Sequence, residues 1–305
     1  MRLTHIAIAT IAIAIVASLS GCMCSGGNAD REFEIPDSLK QNQSVAVSDK
    51  VMENMVENIS SPVETAALIK RLKVPFNKEM LIPSGAADHF NTNYRKALGL
   101  GLFGTDLGYL NMYEKTSLVM SYISAVKSLA DGIQVGQFFD FATLKRLATN
   151  NENLDSLIHI SQESYNRIDS YLRSTNRSSL SIVIIAGVWI EGMYISTQVA
   201  RQTKNPAMIE TIADQKVVLA TLLPLLRLYD KDENIQNLAD RLEKVKQLYE
   251  QVKITIEPGE PESVIVDGVL TFRQNDKQII EASPEAIEAI MQEITDIRTE
   301  QIASK

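Results

Sequence analysis

The stretch from Leu180 to Arg201 constrains the fold more than any other part of the chain. It contains nine consecutive apolar or small residues, Ile182–Ile190, and a single acid, Glu191, follows them directly. A helix that is apolar on all sides either crosses a membrane or lies at the centre of a globular core. Because a membrane span needs about 20 residues and this run is shorter, the sequence predicts the buried central helix of an α-helical domain.

The N-terminus has the pattern of a secretory signal that ends at a cysteine. Arg2 supplies a positive charge, Ile6–Leu19 forms an apolar core, and Leu19-Ser20-Gly21-Cys22 completes the pattern. Leucine, two small residues and cysteine resemble the lipobox of bacterial lipoproteins. The resemblance implies cleavage before Cys22 and acylation of that residue, with 1–21 as signal peptide and 22–47 as an acylated tether. The alternative is an ordinary secretory signal with an incidental cysteine.

Charge and cysteine content narrow the classes of partner. Cys24 is the only other cysteine, so acylation of Cys22 leaves no internal disulfide. The formal net charge of −8 becomes −9 when the signal and its one cation, Arg2, are removed, which argues against binding nucleic acid or anionic lipid through charge. Met23 stands where an Asp would retain an enterobacterial lipoprotein in the inner membrane. We therefore expect an outer-membrane protein of the cell envelope, facing either the periplasm or the surface.

Helical spacing of apolar residues runs almost without interruption over 48–257, which we predict to be one helical domain. The sequence predicts a mainly α fold, an antiparallel helical bundle. The alternative is a tetratricopeptide-like α-solenoid, in which paired helices stack in a row. The predicted helices span residues 50–59, 63–73, 84–130, 135–147, 154–172, 180–201, 207–229 and 235–252.

The last part of the chain, 258–305, has a different pattern. Two short apolar runs, 264–266 and 269–272, flank Asp267-Gly268, a dipeptide typical of two-residue hairpin turns. Ser283-Pro284-Glu285 then provides a helix cap, proline in the first turn and an early acid. The sequence predicts a small β-hairpin followed by a terminal helix, both packed on the helical domain.

Small residues recur at helical spacing on one face of the 84–130 region and on one face of the central helix. The two stripes are Ala97, Gly101, Gly104 and Gly108, and Gly192, Ser196 and Ala200. Glycine inside a helix costs up to about 1 kcal/mol, so such a stripe favours a close helix–helix crossing, and we expect the two stripes to meet. The alternative is that the glycines break the helix into a loop near 99–104.

No catalytic or metal-binding motif is supported by its surroundings. Residues 99–104 match the dinucleotide-binding pattern G-x-G-x-x-G, but that motif follows a strand, and here helical sequence precedes it. His89 and His159 are the only histidines after the signal, and neither has the spacing of a zinc or di-iron site. We therefore expect no cofactor, no metal and no enzymatic activity.

Two acids, Asp106 and Glu191, stand out because their neighbours in sequence are apolar. A buried carboxylate must be hydrogen-bonded, paired with a cation or protonated. One interpretation is structural: a shared network with tyrosines or a cation holds the central helix against the helix around Asp106. The other is a ligand pocket in the bundle whose polar groups are Asp106, Glu191, Tyr109, Tyr113 and Tyr194.

Two further sequences are informative: Leu102-Phe103-Gly104-Thr105-Asp106-Leu107 and Trp189-Ile190-Glu191-Gly192-Met193-Tyr194. Together with the lipobox, they resemble a group of uncharacterised helical lipoproteins of Bacteroidota. The resemblance implies a location in the cell envelope and an all-helical body, and it implies no mechanism. We expect a lipid-anchored, non-enzymatic protein that binds an envelope protein or scaffolds a complex. The alternatives are a carrier of a small apolar or amphiphilic ligand and a hydrolase that uses Asp106 and Glu191.

Overall fold

The computed structural model describes residues 68–143, 154–260, 262–266, 269–273 and 277–303. The predicted signal peptide, Cys22, the tether and the helix at 50–59 lie outside the described residues, as do residues 63–67 of the helix predicted at 63–73; residues 68–71 of it are helical.

Seven α-helices with both ends described make up the body, and the mainly α-helical class that the sequence predicts is confirmed. They are α1 (Asn93–Met112), α2 (Thr116–Gly132), α3 (Leu154–Ser174), α4 (Ser178–Thr203), α5 (Pro206–Arg227), α6 (Glu233–Tyr249) and α7 (Pro284–Ala303). Short 3-10 turns lie at Lys78–Met80, Ser84–His89 and Gly136–Phe138.

Helix α4 is the central helix, as predicted, and packs against α1, α3, α5 and α7. It is long and apolar enough to cross a membrane, with a mean hydropathy of 1.6 in its most apolar window, yet 83% of that window is buried inside the protein. Its burial, rather than its length, therefore identifies it as a core helix. In a solenoid each repeat contacts only its neighbours, whereas α4 contacts both α1 and α7, so the packing favours the bundle.

The predicted helix over 84–130 is divided, and this part of the prediction is wrong. After the 3-10 turn, α1 ends at a turn in which Glu114 has a left-handed backbone, with φ of 55°. The N–H groups of Glu114 and Lys115 donate to the carbonyls of Asn111 and Leu110 at 3.0 Å each, the pattern of a Schellman helix end. Glycine usually occupies that left-handed position, so a glutamate there gives no signal in the sequence.

The other helix boundaries follow the sequence closely, with one exception. The side chains of Asn205, Asp232 and Ser283 accept hydrogen bonds from the first turns of α5, α6 and α7 respectively. These side chains accept hydrogen bonds from N–H groups that would otherwise have no partner at the start of each helix. The exception is the helix predicted at 135–147, which begins as the 3-10 turn Gly136–Phe138 and whose end lies outside the described residues.

Four short strands form two antiparallel ladders between α6 and α7. They are β1 (Lys253–Glu257), β2 (Glu262–Val266), β3 (Val269–Arg273) and β4 (Lys277–Glu281). Strands β2 and β3 form the predicted hairpin, with Val266 opposite Val269. The second ladder pairs β4 with β1, and the sequence pattern did not predict β1.

Helices α1 and α4 cross in close contact at two glycines. A Cβ atom on Gly101 would lie 2.2 Å from the Ile184 carbonyl oxygen and 2.7 Å from the Val188 nitrogen. A Cβ atom on Gly187 would lie 2.3 Å from the Leu98 carbonyl oxygen. Because all three neighbours are backbone atoms of the facing helix, any side chain at these positions would force the helices apart.

The remaining members of the two predicted stripes do not form this contact. A Cβ atom on Gly104, Gly108 or Gly192 would meet no heavy atom within 4 Å. Ala97, Ser196 and Ala200 are buried, but the partner of Gly101 is Gly187, which lies outside the predicted stripe. Helices that cross at an angle are close only near the crossing point, so most of an aligned stripe has no contact. Helix α1 is continuous through 99–104, so the loop alternative is wrong.

Candidate functional site

The predicted polar residues surround an irregular segment, 74–82, which we call the strap. The strap is mostly non-helical, and Val74, Met80, Leu81 and Ile82 within it are buried. Buried backbone N–H and C=O groups outside helices and sheets need other hydrogen-bond partners. Side chains of α1, α2 and α7 provide these partners.

Tyr109 of α1, Tyr122 of α2 and Tyr113, the C-cap residue of α1, hold the strap along its length. Their hydroxyls bond to the strap backbone in three places: Tyr113 donates to the Val74 carbonyl (2.7 Å), Tyr122 donates to the Ile82 carbonyl (2.6 Å), and Tyr109 accepts from the Asn77 N–H (3.2 Å). The Phe76 ring lies 5.6 Å from both the Tyr109 and the Tyr113 rings. The strap is therefore fixed by ring packing as well as by hydrogen bonds.

Asp106 and Glu191 lie beside the same strap, together with Arg298 of α7. The Nε and Nη2 atoms of Arg298 donate to the two carboxylate oxygens of Glu191 at 3.1 and 2.8 Å, which makes a bidentate ion pair. Nη2 of Arg298 also donates to the Met80 carbonyl at 2.9 Å. Oδ2 of Asp106 accepts from the Ile82 N–H at 2.9 Å. The side chains of Asp106, Glu191 and Arg298 thus connect α1, α4 and α7 with the strap.

Burial and the neighbouring carboxylate favour the protonated form of Asp106. Asp106 and Glu191 are 0% exposed, and their carboxyl groups are hydrogen-bonded to each other. Oδ1 of Asp106 meets no N–H or hydroxyl donor in the described part of the chain. Burial raises the pKa of Asp106 well above 3.8, and the charge of Glu191 raises it further. Neutral Asp106 then donates to ionised Glu191.

The charges of the cluster balance once Asp106 is neutral. Burial raises the pKa of Glu191, and Arg298 opposes that shift. Burial disfavours the charge of Arg298, but the Glu191 carboxylate outweighs this and the net effect raises the pKa of Arg298. The guanidinium carbon also lies 4.0 Å from the centre of the Tyr194 ring, a cation–π contact. One buried cation therefore faces one buried anion.

The structure brings the five predicted polar residues into one region. Asp106 bonds to Glu191, Tyr194 contacts the guanidinium that pairs with Glu191, and the rings of Tyr109 and Tyr113 are 4.8 Å apart. The sequence interpretation missed Arg298 and the strap. A signal for Arg298 did exist, because Met291, Ile294 and Arg298 follow the buried i, i+3 and i+7 spacing of α7.

The positions of Asp106 and Glu191 suit a structural role in the fold rather than a role in catalysis. Carboxyl pairs that hydrolyse glycans are separated by about 5–9.5 Å and flank a substrate, whereas these two are bonded to each other and have no exposed surface. Within the described residues, no group of three or more His, Cys, Asp or Glu could hold a metal ion. An open groove lies elsewhere, lined by Phe138, Glu163, Asn166, Arg167, Ser170, Tyr171 and Ser174.

Asp106→Asn is expected to make the protein more stable than the native chain at neutral and alkaline pH. Burial raises the pKa of Asp106 in the folded state well above the value of 3.8 that it has when unfolded, so its contribution to stability falls as pH rises through and above 3.8. Asparagine keeps an acceptor for the Ile82 N–H and a donor for Glu191 without that loss. We expect a gain of about 1 kcal/mol or more at pH 8 relative to pH 4.5, measured by urea denaturation.

The control for this prediction is Asp296→Asn, since Asp296 lies on α7 and accepts an exposed hydrogen bond from Gln292. Because that hydrogen bond is exposed, Asp296→Asn should change the free energy of unfolding by about 1 kcal/mol or less. If Asp106→Asn is instead less stable than the native chain across the whole pH range, Asp106 is ionised and the proton assignment is wrong.

Comparison with protein-family models, with curated proteins and with solved structures found no match for this chain.

Proposed function

We propose that this chain is a lipid-anchored cell-envelope protein whose helical domain is a non-enzymatic binding or scaffolding module. The observation that carries the proposal is the cluster of Asp106, Glu191 and Arg298, whose polar groups bond to one another and to the strap. The bidentate ion pair and the two bonds to the strap hold α1, α4 and α7 against this segment, and buried polar bonds of this kind rigidify a fold. A rigid body that presents its surface to a partner is the role that fits this use of its buried acids.

The proposed anchor is acylated Cys22, within the lipobox-like motif Leu19-Ser20-Gly21-Cys22. Each buried methylene of an acyl chain contributes about 0.8 kcal/mol, and several chains together anchor a protein stably. The tether, 22–47, would hold the domain away from the membrane. The proposed location is the outer membrane, and the proposed partner is another envelope protein rather than nucleic acid.

The two alternatives need features of a different kind. A carrier of an amphiphilic ligand needs an apolar cavity that contains the acids, and a hydrolase needs them to reach a substrate. Asp106 and Glu191 are enclosed by the strap and by α7, with no exposed surface. For this reason we prefer the binding or scaffolding role to both.

Cys22→Ser is expected to abolish acylation and to move the protein from the membrane fraction to the soluble fraction. The matched control is Cys24→Ser, which removes the only other cysteine and should leave acylation unchanged. The measurement is metabolic labelling with an alkyne fatty acid, followed by fractionation. Equal labelling of native protein and Cys22→Ser would refute the proposed anchor.

The binding role is tested by crosslinking in intact cells, followed by purification and mass spectrometry. We expect one envelope protein to be crosslinked reproducibly to the anchored native chain, and to be lost with Cys22→Ser. A purified chain that turns over a glycan, peptide or ester substrate, with loss of activity in Glu191→Gln, would contradict the non-enzymatic role.

A further inference from the structure

Arg95, in the first turn of α1, is a buried cation without a carboxylate partner in the described structure. It is 7% exposed, and its Nη1 donates to the carbonyl of Gln301, in the last turn of α7, at 2.9 Å. Its guanidinium carbon lies 4.5 Å from the centre of the Phe90 ring. Nε and Nη2 are buried and have no acceptor among the described residues.

Tyr94 adds a second buried group of the same kind. Its hydroxyl has no hydrogen-bond partner in the described structure, and the residue is 8% exposed. Burial raises the pKa of this hydroxyl; the charge of Arg95 lowers that pKa, and the charges of Asp232 and Glu300 raise it further. The two acids are bonded elsewhere: Asp232 caps α6, and Glu300 accepts from Arg241 at 2.7 Å. Among the described residues, this corner of the protein therefore holds three unbonded donor groups and one cation that is hydrogen-bonded to no carboxylate.

Arg298 shows which group the Nε and Nη2 atoms of an arginine bind in this protein. In Arg298 the same two atoms, Nε and Nη2, hold both oxygens of the Glu191 carboxylate. Arginine presents these two N–H groups in a rigid fork that matches a carboxylate. In Arg95 the equivalent edge is buried and unbonded, and leaving it so is unfavourable, because a buried charge needs a partner of opposite sign.

We propose that the Nε–Nη2 edge of Arg95 and the Tyr94 hydroxyl form a binding site for the carboxylate group of a small ligand. Two carboxylate oxygens would accept from the guanidinium edge, and one would also accept from the tyrosine. Entry requires local opening of the last turn of α7, beside Gln301, and helix ends open at low cost. The site is independent of the anchor and of the protein partner proposed above.

The test uses sodium acetate as the carboxylate probe and the purified full chain. Anything that binds only the folded state raises the unfolding midpoint with ligand concentration. We expect the thermal midpoint to rise with acetate concentration, relative to sodium chloride at equal ionic strength. Sodium phosphate is the third arm, and it distinguishes a carboxylate site from a general oxyanion site.

Two variants and a control locate the effect. Arg95→Met should abolish the acetate-dependent rise, and Tyr94→Phe should weaken acetate binding about tenfold, since it removes one hydrogen bond to a charged group. Tyr94→Phe loses only a hydroxyl without a partner, so it provides a folded variant if Arg95→Met does not fold. Arg201→Met is the matched control: Arg201 bonds to Glu288 near the surface, and the response to acetate should persist.

The proposal stands if acetate stabilises the native chain and Arg201→Met but not Arg95→Met, with a weaker effect on Tyr94→Phe. It is overturned if acetate has no effect beyond that of chloride, or if Arg95→Met responds like the native chain. A rise with phosphate alone would also overturn it, because the site would then not select a carboxylate.

Discussion

Arg298→Met is expected to lower the free energy of unfolding by about 3–5 kcal/mol, because removing one partner of a buried ion pair leaves the other charge uncompensated. Glu191 would lose both of its bonds to the guanidinium, and the Met80 carbonyl would lose its donor. Methionine retains most of the volume of the side chain, so the loss is chiefly electrostatic. The measurement is chemical denaturation at pH 7.

Two further variants separate the ion pair from the general cost of mutating α7 and α4. The double variant Arg298→Met/Glu191→Gln removes both charges, and its cost should be smaller than the sum of the two single costs. Arg201→Met removes a bond between α4 and Glu288 of α7 that is partly exposed, and should cost about 1 kcal/mol or less. If Arg298→Met is no more harmful than Arg201→Met, the cluster does not support the fold.

Gly101→Ala is expected to destabilise the protein by about 1–3 kcal/mol or more, through overpacking at the crossing of α1 and α4. The added Cβ would lie 2.2 Å from the Ile184 carbonyl oxygen, and a backbone atom cannot move without moving its helix. Gly104→Ala is the matched control in the same helix. Its Cβ would meet nothing within 4 Å, so the higher helix propensity of alanine should raise stability by up to about 1 kcal/mol.

The two substitutions are thus predicted to act in opposite directions, three residues apart on one helix. The measurement is the denaturation midpoint of each purified variant. Equal effects at the two positions would mean that α1 and α4 do not cross at Gly101.

The sequence correctly predicted the helices whose buried residues recur at regular helical spacing. Helices α3, α5, α6 and α7 each have an apolar stripe at helical spacing, and three of them begin at a recognisable cap. The division between α1 and α2 was missed because Glu114 takes the left-handed position where glycine is usual. Helix spacing also cannot tell where along a stripe two helices cross, so Gly104 and Gly108 were predicted to be in the contact together with Gly101, and Gly187 was missed.

The polar cluster was predictable only in part, for a different reason. Asp106 and Glu191 were identified because an acid among apolar neighbours must be satisfied. Their cation lies 107 residues beyond Glu191 along the chain, and no local pattern connects the two. The strap lacks any periodicity, so its position over the acids follows from tertiary packing alone.

The bond between Met80 and Arg298 joins residues 218 positions apart, and that between Arg95 and Gln301 spans 206. Contacts between residues so far apart in the sequence form late, and they slow folding. Until α7 arrives, Glu191 has no counter-charge and the strap lacks a donor for one of its carbonyls. A chain emerging from synthesis or from a translocation channel therefore cannot complete its core before its last helix is released. For a protein exported as proposed, this dependence would delay stable folding until the whole chain had crossed the membrane.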